Sequence, residues 1–139
     1  MSGAGGAAAV VKTEKKAVYF RQGLPGLEGY RRFALSPLPG SELFMLLSAA
    51  EEENVALILV DPFPFFPEYR IELSAADRQE LKVRAGEEEL LTYTTVALVD
   101  HQLYTNLAAP LVINMAEGLG RQLILPEAME KMRAPLTFG

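Results

Sequence analysis

The chain has 139 residues, a formal net charge of −5 and 50% hydrophobic residues, which predicts one globular domain and excludes an intrinsically disordered chain. The acidic balance disfavours direct nucleic-acid binding, because negative charges repel phosphate. The chain has no cysteines, which excludes disulfides, thiolate catalysis and cysteine-bound zinc. The longest apolar run, residues 55–60, is far too short to span a bilayer, so we expect a cytoplasmic protein without membrane contact.

The first half of the chain predicts short strands joined by turns. Residues 1–17 are rich in Gly and Ala and predict a flexible or irregular N-terminal segment, whereas 18–139 predict a single β domain. Strands are predicted at 18–20, 32–35, 43–48 and 55–60, with turn residues between them. Prolines at positions 62, 64 and 67 exclude a central strand and predict an extended loop.

The second half predicts one short helix among further strands. Alternation of apolar and charged residues at 69–73 predicts a half-buried strand. Ser74 can cap a helix that runs to about Val83, with Asp77 near its positive end and Gly86 closing it. Strands at 90–99, 110–115 and 121–125 follow, and Pro126 ends the last. The pattern predicts an all-β fold, a small antiparallel β-barrel or sandwich with one short helix.

The most apolar runs of these strands predict the core. Apolar side chains that become buried, on either face of a strand, contribute most to the free energy of folding. We expect these residues to be mostly buried: Leu46, Ile58, Leu59, Val96, Val112, Ile113, Leu123 and Leu125.

The sequence lacks a recognisable catalytic pattern. His101 is the only histidine, and Asp100 beside it would point the other way in an extended chain, so we interpret His101 as an exposed turn residue. Gly23, Gly26 and Gly29 are not followed by the Gly-Lys-Ser/Thr of a phosphate loop, so they indicate a turn. We therefore expect no enzymatic activity and no metal, nucleotide or covalent cofactor.

Two acidic runs are candidate binding sites. Consecutive carboxylates on one turn seldom converge on a cation, so solvated turns are the simpler interpretation. The alternative is that they contact a basic protein partner. The residues are Glu51, Glu52, Glu53, Glu87, Glu88 and Glu89.

An aromatic, proline-rich stretch and two asparagines are further candidates. The aromatic side chains either plug one end of the barrel or leave one, such as Phe65, exposed as an anchor for a partner. Asn106 and Asn114 bracket an apolar strand, where a buried amide would tie loops together. The loop around Asn106 is a second candidate contact. The aromatic residues are Phe63, Phe65, Phe66 and Tyr69.

Four segments of the sequence together resemble one protein family. They read GLPGLE from Gly23, DPFPFFPEY from Asp61, NLAAPLVIN from Asn106 and GRQLIL from Gly120. In this order and spacing, which covers most of the chain from about residue 18 to about residue 125, they are similar to the flagellar assembly factor FliW family. The first seventeen residues depart from the family pattern.

The resemblance implies a cytoplasmic, non-enzymatic factor that binds newly made flagellin and, separately, CsrA, a small basic RNA-binding translational repressor. Accumulated flagellin would occupy the factor and leave CsrA free to silence flagellin mRNA, whereas export would release the factor to antagonise CsrA. Phe65 and Asn106 are then the candidate flagellin contacts, and the acidic runs the candidate CsrA contacts. We expect a monomer when the protein is free.

Two other functions stay open on the residues alone. A small-ligand-binding or enzymatic β-barrel of unknown substrate would use the barrel mouth and need convergent polar groups, such as Asp61 and His101 with a carboxylate partner. A structural subunit would pair an exposed strand edge with copies of itself. A gel-filtration mass would separate self-association from a monomeric binding protein.

Overall fold

The computed structural model describes residues 15–84 and 90–138. One α-helix, α1, is present in these ranges and spans Ala75–Leu81, and a 3-10 helix spans Pro126–Lys131. The strands are β1 (Lys16–Phe20), β2 (Arg32–Pro37), β3 (Phe44–Ala49), β4 (Ala56–Val60), β5 (Leu90–Val99), β6 (Gln102–Thr105), β7 (Leu111–Asn114), β8 (Leu119–Gln122) and β9 (Ala134–Pro135).

Seven of the described strands close into a barrel in the order β1-β2-β3-β4-β5-β7-β8. The predicted class, a small β-barrel with one short helix, is confirmed for the described residues. Neighbouring strands are antiparallel, as predicted, except that β1 and β8 close the barrel in parallel. The second half of β5 leaves the barrel and pairs with β6, which pairs with β9.

Most predicted elements lie within two residues of the observed ones, and β5 matches its predicted bounds. Ser74 caps α1 as predicted. The helix ends earlier, however, because Lys82 adopts a left-handed conformation with φ 57°. The predicted closing residue, Gly86, the acidic residues 87–89 and the N-terminal residues 1–14 lie outside the described ranges.

The strand predicted at 69–73 is wrong, because these residues form no strand. Tyr69, Ile71 and Leu73 do face the protein interior, so the alternation reports burial correctly. The nearby edges of β5 and β7 are already paired with each other, which leaves the segment to pack by side chains alone. The strand predicted at 121–125 starts earlier, at Leu119, and ends at Gln122.

Two apolar cores lie on opposite sides of the barrel wall. The inner core fills the barrel with side chains such as Phe20, Phe33 and Leu47. The outer core lies between the wall and α1, the 3-10 helix and the segment 69–73. Strand β7 contributes to both, because Ile113 points inward and Val112 outward.

The predicted core is confirmed for Leu59, Val112, Ile113, Leu123 and Leu125, which are buried. Leu46 and Val96 are only half-buried, and the prediction for Ile58 is wrong, since it is 39% exposed. Side chains alternate along a strand. Because Leu57 and Leu59 of β4 face the inner core, Ile58 between them must face outward.

Helix α1 is fixed to the barrel by polar contacts at both ends. Ser74 and Asp77 form a reciprocal capping box, and Arg121 of β8 donates to the Asp77 carboxylate at 2.8 Å. At the other end, the buried Asn114 donates from Nδ2 to the Leu81 carbonyl at 2.8 Å. These contacts hold the short helix against the outer core.

Barrel closure depends on a contact between Phe20 and Gly120, which pair across β1 and β8. The Phe20 ring is fully buried and lies over the glycine. A Cβ atom on Gly120 would stand 2.5 Å from the Phe20 ring, well inside van der Waals contact. Only glycine therefore permits this ring position.

We predict that Gly120→Ala destabilises the protein by about 1–3 kcal/mol, the usual cost of overpacking a core. Urea unfolding measures the change. Gly29→Ala is the matched control, because a Cβ there meets no atom within 4 Å. Equal stabilities of the Gly120 variant and the wild type would contradict the closure contact.

We also predict a pH-dependent contribution from Asp77. Burial opposes its ionisation, but hydrogen bonds from Ser74 and Arg121 outweigh that effect and lower the pKa below its ordinary value of 3.8. A lowered folded pKa stabilises the fold above the unfolded pKa, and this stabilisation is lost as pH falls through the folded value. Asp77→Asn should therefore reduce the unfolding free energy at pH 7, and its difference from wild type should shrink below about pH 4.

Urea titrations at pH 7 and pH 3 measure this difference. Exposed Glu130 of the 3-10 helix supplies the control, since Glu130→Gln should change stability little at either pH. A difference between Asp77→Asn and wild type that stays constant with pH would contradict the assignment.

Candidate interaction surfaces

The loop after β4, residues 61–69, is compactly folded. The Asp61 carboxylate accepts a hydrogen bond from the Phe63 amide at 3.0 Å, and the Pro62 carbonyl accepts from the amides of Phe65 and Phe66. The Tyr69 hydroxyl, at the end of this aromatic loop, reaches back into the protein. The loop is therefore a fixed surface feature, with its aromatic rings held in place.

Tyr69 anchors the aromatic loop to the segment after Asn106. Its hydroxyl donates to the Leu107 carbonyl at 2.6 Å. Burial raises the pKa of Tyr69 well above its usual value, and the nearby Glu127 carboxylate adds to the shift. The hydroxyl therefore stays protonated and available as a donor, which is a structural role.

The aromatic side chains divide between the two interpretations made from the sequence. Tyr69 is buried, Phe66 is half-buried against the outer core, and Phe63 is 38% exposed. Phe65 is half-buried and meets Phe138 edge-on, with ring centroids 5.3 Å apart. The loop both seals the protein and leaves aromatic surface accessible.

Asn106 orders the loop between β6 and β7. Its side-chain Oδ1 accepts a hydrogen bond from the Ala108 backbone amide at 2.9 Å. The backbone amide of Asn106 donates to the Thr95 carbonyl at 3.3 Å. Asn114 plays the loop-tying role predicted for it, since its Oδ1 also accepts from the Ala116 amide. Both asparagine side chains thus form hydrogen bonds with backbone groups of neighbouring segments.

Phe65 and the loop after Asn106 meet at one cleft of about 370 Å³. Leu107, the residue after Asn106, supplies one wall, and the aromatic loop supplies another. The structure therefore brings two separate sequence candidates together. The lining residues are Phe65, Phe66, Pro67, Glu68, Tyr69, Leu107 and Lys131.

The acidic turn, Glu51 to Glu53, is exposed between β3 and β4. Glu52 accepts a hydrogen bond from the Tyr30 hydroxyl at 2.8 Å, which raises the pKa of Tyr30. The Glu53 carboxylate lies 4.0 Å from the Lys15 ammonium. The carboxylates of the turn therefore lie at the protein surface. The second candidate acidic run, Glu87, Glu88 and Glu89, lies outside the described residues.

The acidic turn and the aromatic loop lie at opposite ends of β4. The turn precedes Ala56, and the loop follows Val60. The five residues of β4 place the residues that flank the strand about 20 Å apart at the usual rise per residue. The candidate contacts therefore form two surfaces, and no single site joins them.

The residues of the catalytic alternative, Asp61 and His101, do not lie together in the structure. His101 is an exposed turn residue, as predicted, and both His101 and Asp100 have positive φ angles. Asp61 lies at the other end of the barrel, where it caps the aromatic loop. Within residues 15–84 and 90–138, His, Cys, Asp and Glu side chains form no group of three suited to a metal ion.

A larger cleft, of about 600 Å³, lies between the segment 69–73 and strands β5 and β7. Its charged lining comprises Arg70, Glu72 and Arg78, Thr92 adds a hydroxyl, and the rest is apolar or aromatic. The sequence interpretation missed this cleft because it placed a paired strand at 69–73. It missed Phe138 for another reason: an aromatic residue near a chain end carries no periodic signal.

The helices of the described part of the chain are all too short or too polar to cross a membrane.

Comparison with known proteins agrees with this architecture. Residues 7–136 match the family described as FliW protein. The flagellar assembly factor FliW of Clostridium kluyveri is 37% identical over 127 residues, 91% of this chain and 88% of that protein. The protein of the same name from Clostridium botulinum strain Alaska E43 is 38% identical over 86% of each chain.

A solved structure of the same fold is also similar. The crystal structure of a flagellar assembly factor FliW superposes with a TM-score of 0.78 at 30% identity, covering 89% of this chain and 87% of the other. The sequence match and the structural match cover nearly the same share of the chain, 91% and 89%. This chain therefore belongs to the FliW family of flagellar assembly factors.

Proposed function

We propose that this protein is a cytoplasmic, non-enzymatic factor that binds flagellin and, in a separate complex, CsrA, and so couples flagellin synthesis to flagellum assembly. Family membership is the observation that carries the proposal. The single domain needs no cofactor for this role, because each step is a binding equilibrium. The free protein is a monomer in this account.

The cleft lined by Phe65 and Leu107 is the proposed flagellin surface. It offers aromatic and aliphatic side chains beside two charged groups, Glu68 and Lys131. Aromatic residues held in place dominate the binding energy of many protein interfaces. The fixed loops that follow Val60 and Thr105 support this role, because little ordering would be needed on binding.

The acidic turn, Glu51 to Glu53, is the proposed CsrA surface, with Glu87, Glu88 and Glu89 as further candidates. CsrA-type proteins present a basic surface to RNA, and this chain carries a net charge of −5. Opposite charges steer two proteins together and make the rate and strength of association depend on salt. The factor itself would not bind RNA, because its acidic surface repels phosphate.

The two complexes can exclude each other even though the candidate surfaces are separate. A separation of about 20 Å is less than twice the radius of gyration of a 100-residue domain, which is about 13 Å. Two folded partners bound at the two ends of β4 would therefore compete for space. Mass action on these alternative complexes would transmit the flagellin level to CsrA.

A small-ligand-binding or enzymatic barrel remains the second candidate, and the 600 Å³ cleft is the observation that favours it. Pockets of this size commonly hold small molecules. Its charged lining residues, Arg70, Glu72 and Arg78, could orient an anionic ligand.

We predict that salt weakens the CsrA complex more than the flagellin complex, because exposed charges are screened and apolar contacts are not. Titration calorimetry at two salt concentrations, with purified flagellin and purified CsrA, measures both affinities. Glu51→Gln with Glu53→Gln should reduce the salt dependence for CsrA, whereas Phe65→Ala should weaken flagellin binding.

Glu130→Gln is the charge control for the CsrA complex and should leave that affinity unchanged, since Glu130 is exposed and remote in sequence from both acidic runs. Equal salt sensitivity of the two complexes would reject the electrostatic part of the proposal. Absence of heat with either partner at both salt concentrations would reject the function.

A further inference from the structure

Four apolar side chains face outward on adjacent strands: Leu46 of β3, Ile58 of β4, and Val96 and Leu98 of β5. Leu46 and Ile58 are direct partners across β3 and β4. Leu59 pairs with Thr95, so one step along the antiparallel register places Ile58 beside Val96. We call this set the outer apolar face.

The outer apolar face is open to water. Ile58 is 39% exposed and Leu98 is 67% exposed, while Leu46 and Val96 are half-buried. Isolated exposed apolar residues are common on proteins, but neighbouring ones on adjacent strands often mark an interaction site. On the outward sides of β7 and β8, by contrast, the apolar residues Val112 and Leu119 are packed in the outer core. The apolar residues of the outer apolar face have no comparable cover among the described residues.

The chain's own C-terminal segment covers only the adjoining end of this surface. The ring of Phe138 lies 6.4 Å from that of Phe44. Phe44 pairs with Val60, which is buried on the outward side of β4. The cover ends there, because Ile58, two residues before Val60 on the same side of β4, is exposed.

The uncovered end is bordered by acidic residues. The acidic turn ends shortly before Ala56, the first residue of β4, and Asp100 follows Leu98 by two residues at the same end of the paired strands. Lys15 is paired with Glu53 at 4.0 Å. Lys16 of β1 and Arg32, at the start of β2, are further described cations on this side, so the four carboxylates of Glu51, Glu52, Glu53 and Asp100 outnumber the three cations by one.

We propose that the outer apolar face is the docking surface for an amphipathic segment of a basic protein partner. The partner's apolar side chains would lie on Ile58 and Leu98, and its Lys or Arg side chains would meet the acidic turn and Asp100. The charge at this end selects a basic occupant over flagellin or a second copy of this acidic chain. The inference rests on the proposed function, in which the basic partner is CsrA.

The test is titration calorimetry of Leu98→Ser and Ile58→Ser with CsrA and, in parallel, with flagellin. We expect each substitution to weaken CsrA binding about tenfold or more, the usual effect of truncating an interface anchor, and to leave flagellin binding unchanged. Ile124→Ser is the matched control, because Ile124 is 63% exposed and lies outside the face. Unfolding curves confirm that each variant is folded.

The possible results distinguish a failure of the proposed docking surface from a failure of the proposed function. Wild-type protein that binds neither partner overturns both. Wild-type protein that binds CsrA while both serine variants bind it equally well overturns the docking surface alone. Loss of flagellin binding in the serine variants, or a wild-type dimer in sedimentation that Leu98→Ser dissociates, also overturns it, because the face would then serve a different occupant.

Discussion

Closure of the barrel between β1 and β8 is the constraint on which the rest of the structure depends. The two strands pair in parallel, and the Phe20 ring fills the space that a side chain on Gly120 would need. Without this closure β1 and β8 would both be sheet edges, and edges invite pairing with other chains. The closed wall also separates an inner core from an outer one and fixes which strands carry surface loops.

The wall determines where binding surfaces can form. Strand β7 is covered on both sides, with Ile113 in the inner core and Val112 in the outer core, so it can present nothing to a partner. Among the described residues, no such cover lies over Ile58 and Leu98 on the outward sides of β4 and the second half of β5. We therefore propose that the interaction surfaces lie along this side and in the loops at its two ends.

The sequence predicted the fold class and the seven barrel strands because β-branched and aromatic runs separated by turn residues are local signals, but it missed β6 and β9. It could not predict which side of an apolar strand is covered. Ile58 and Val112 both face outward from apolar strands, yet the first is exposed and the second buried, because only the tertiary arrangement supplies an outer cover for β7. The cleft of Phe65 and Leu107 depends on contacts between residues far apart in the chain, as does the unpaired segment 69–73. The candidate residues Phe65 and Asn106 were named from local pattern and resemblance, and their shared cleft required the fold.

We propose that the protein acts by binding its partners at separate surfaces of the barrel. Hydrogen–deuterium exchange of the free protein and of each complex tests it most directly, because exchange reports protection segment by segment. We expect flagellin to protect residues 63–69 and 106–110, CsrA to protect residues 44–48, 51–58 and 96–100, and β7 to be unchanged in both. Protection by both partners of one shared segment, or protection confined to the cleft between 69–73 and β5, would contradict the account.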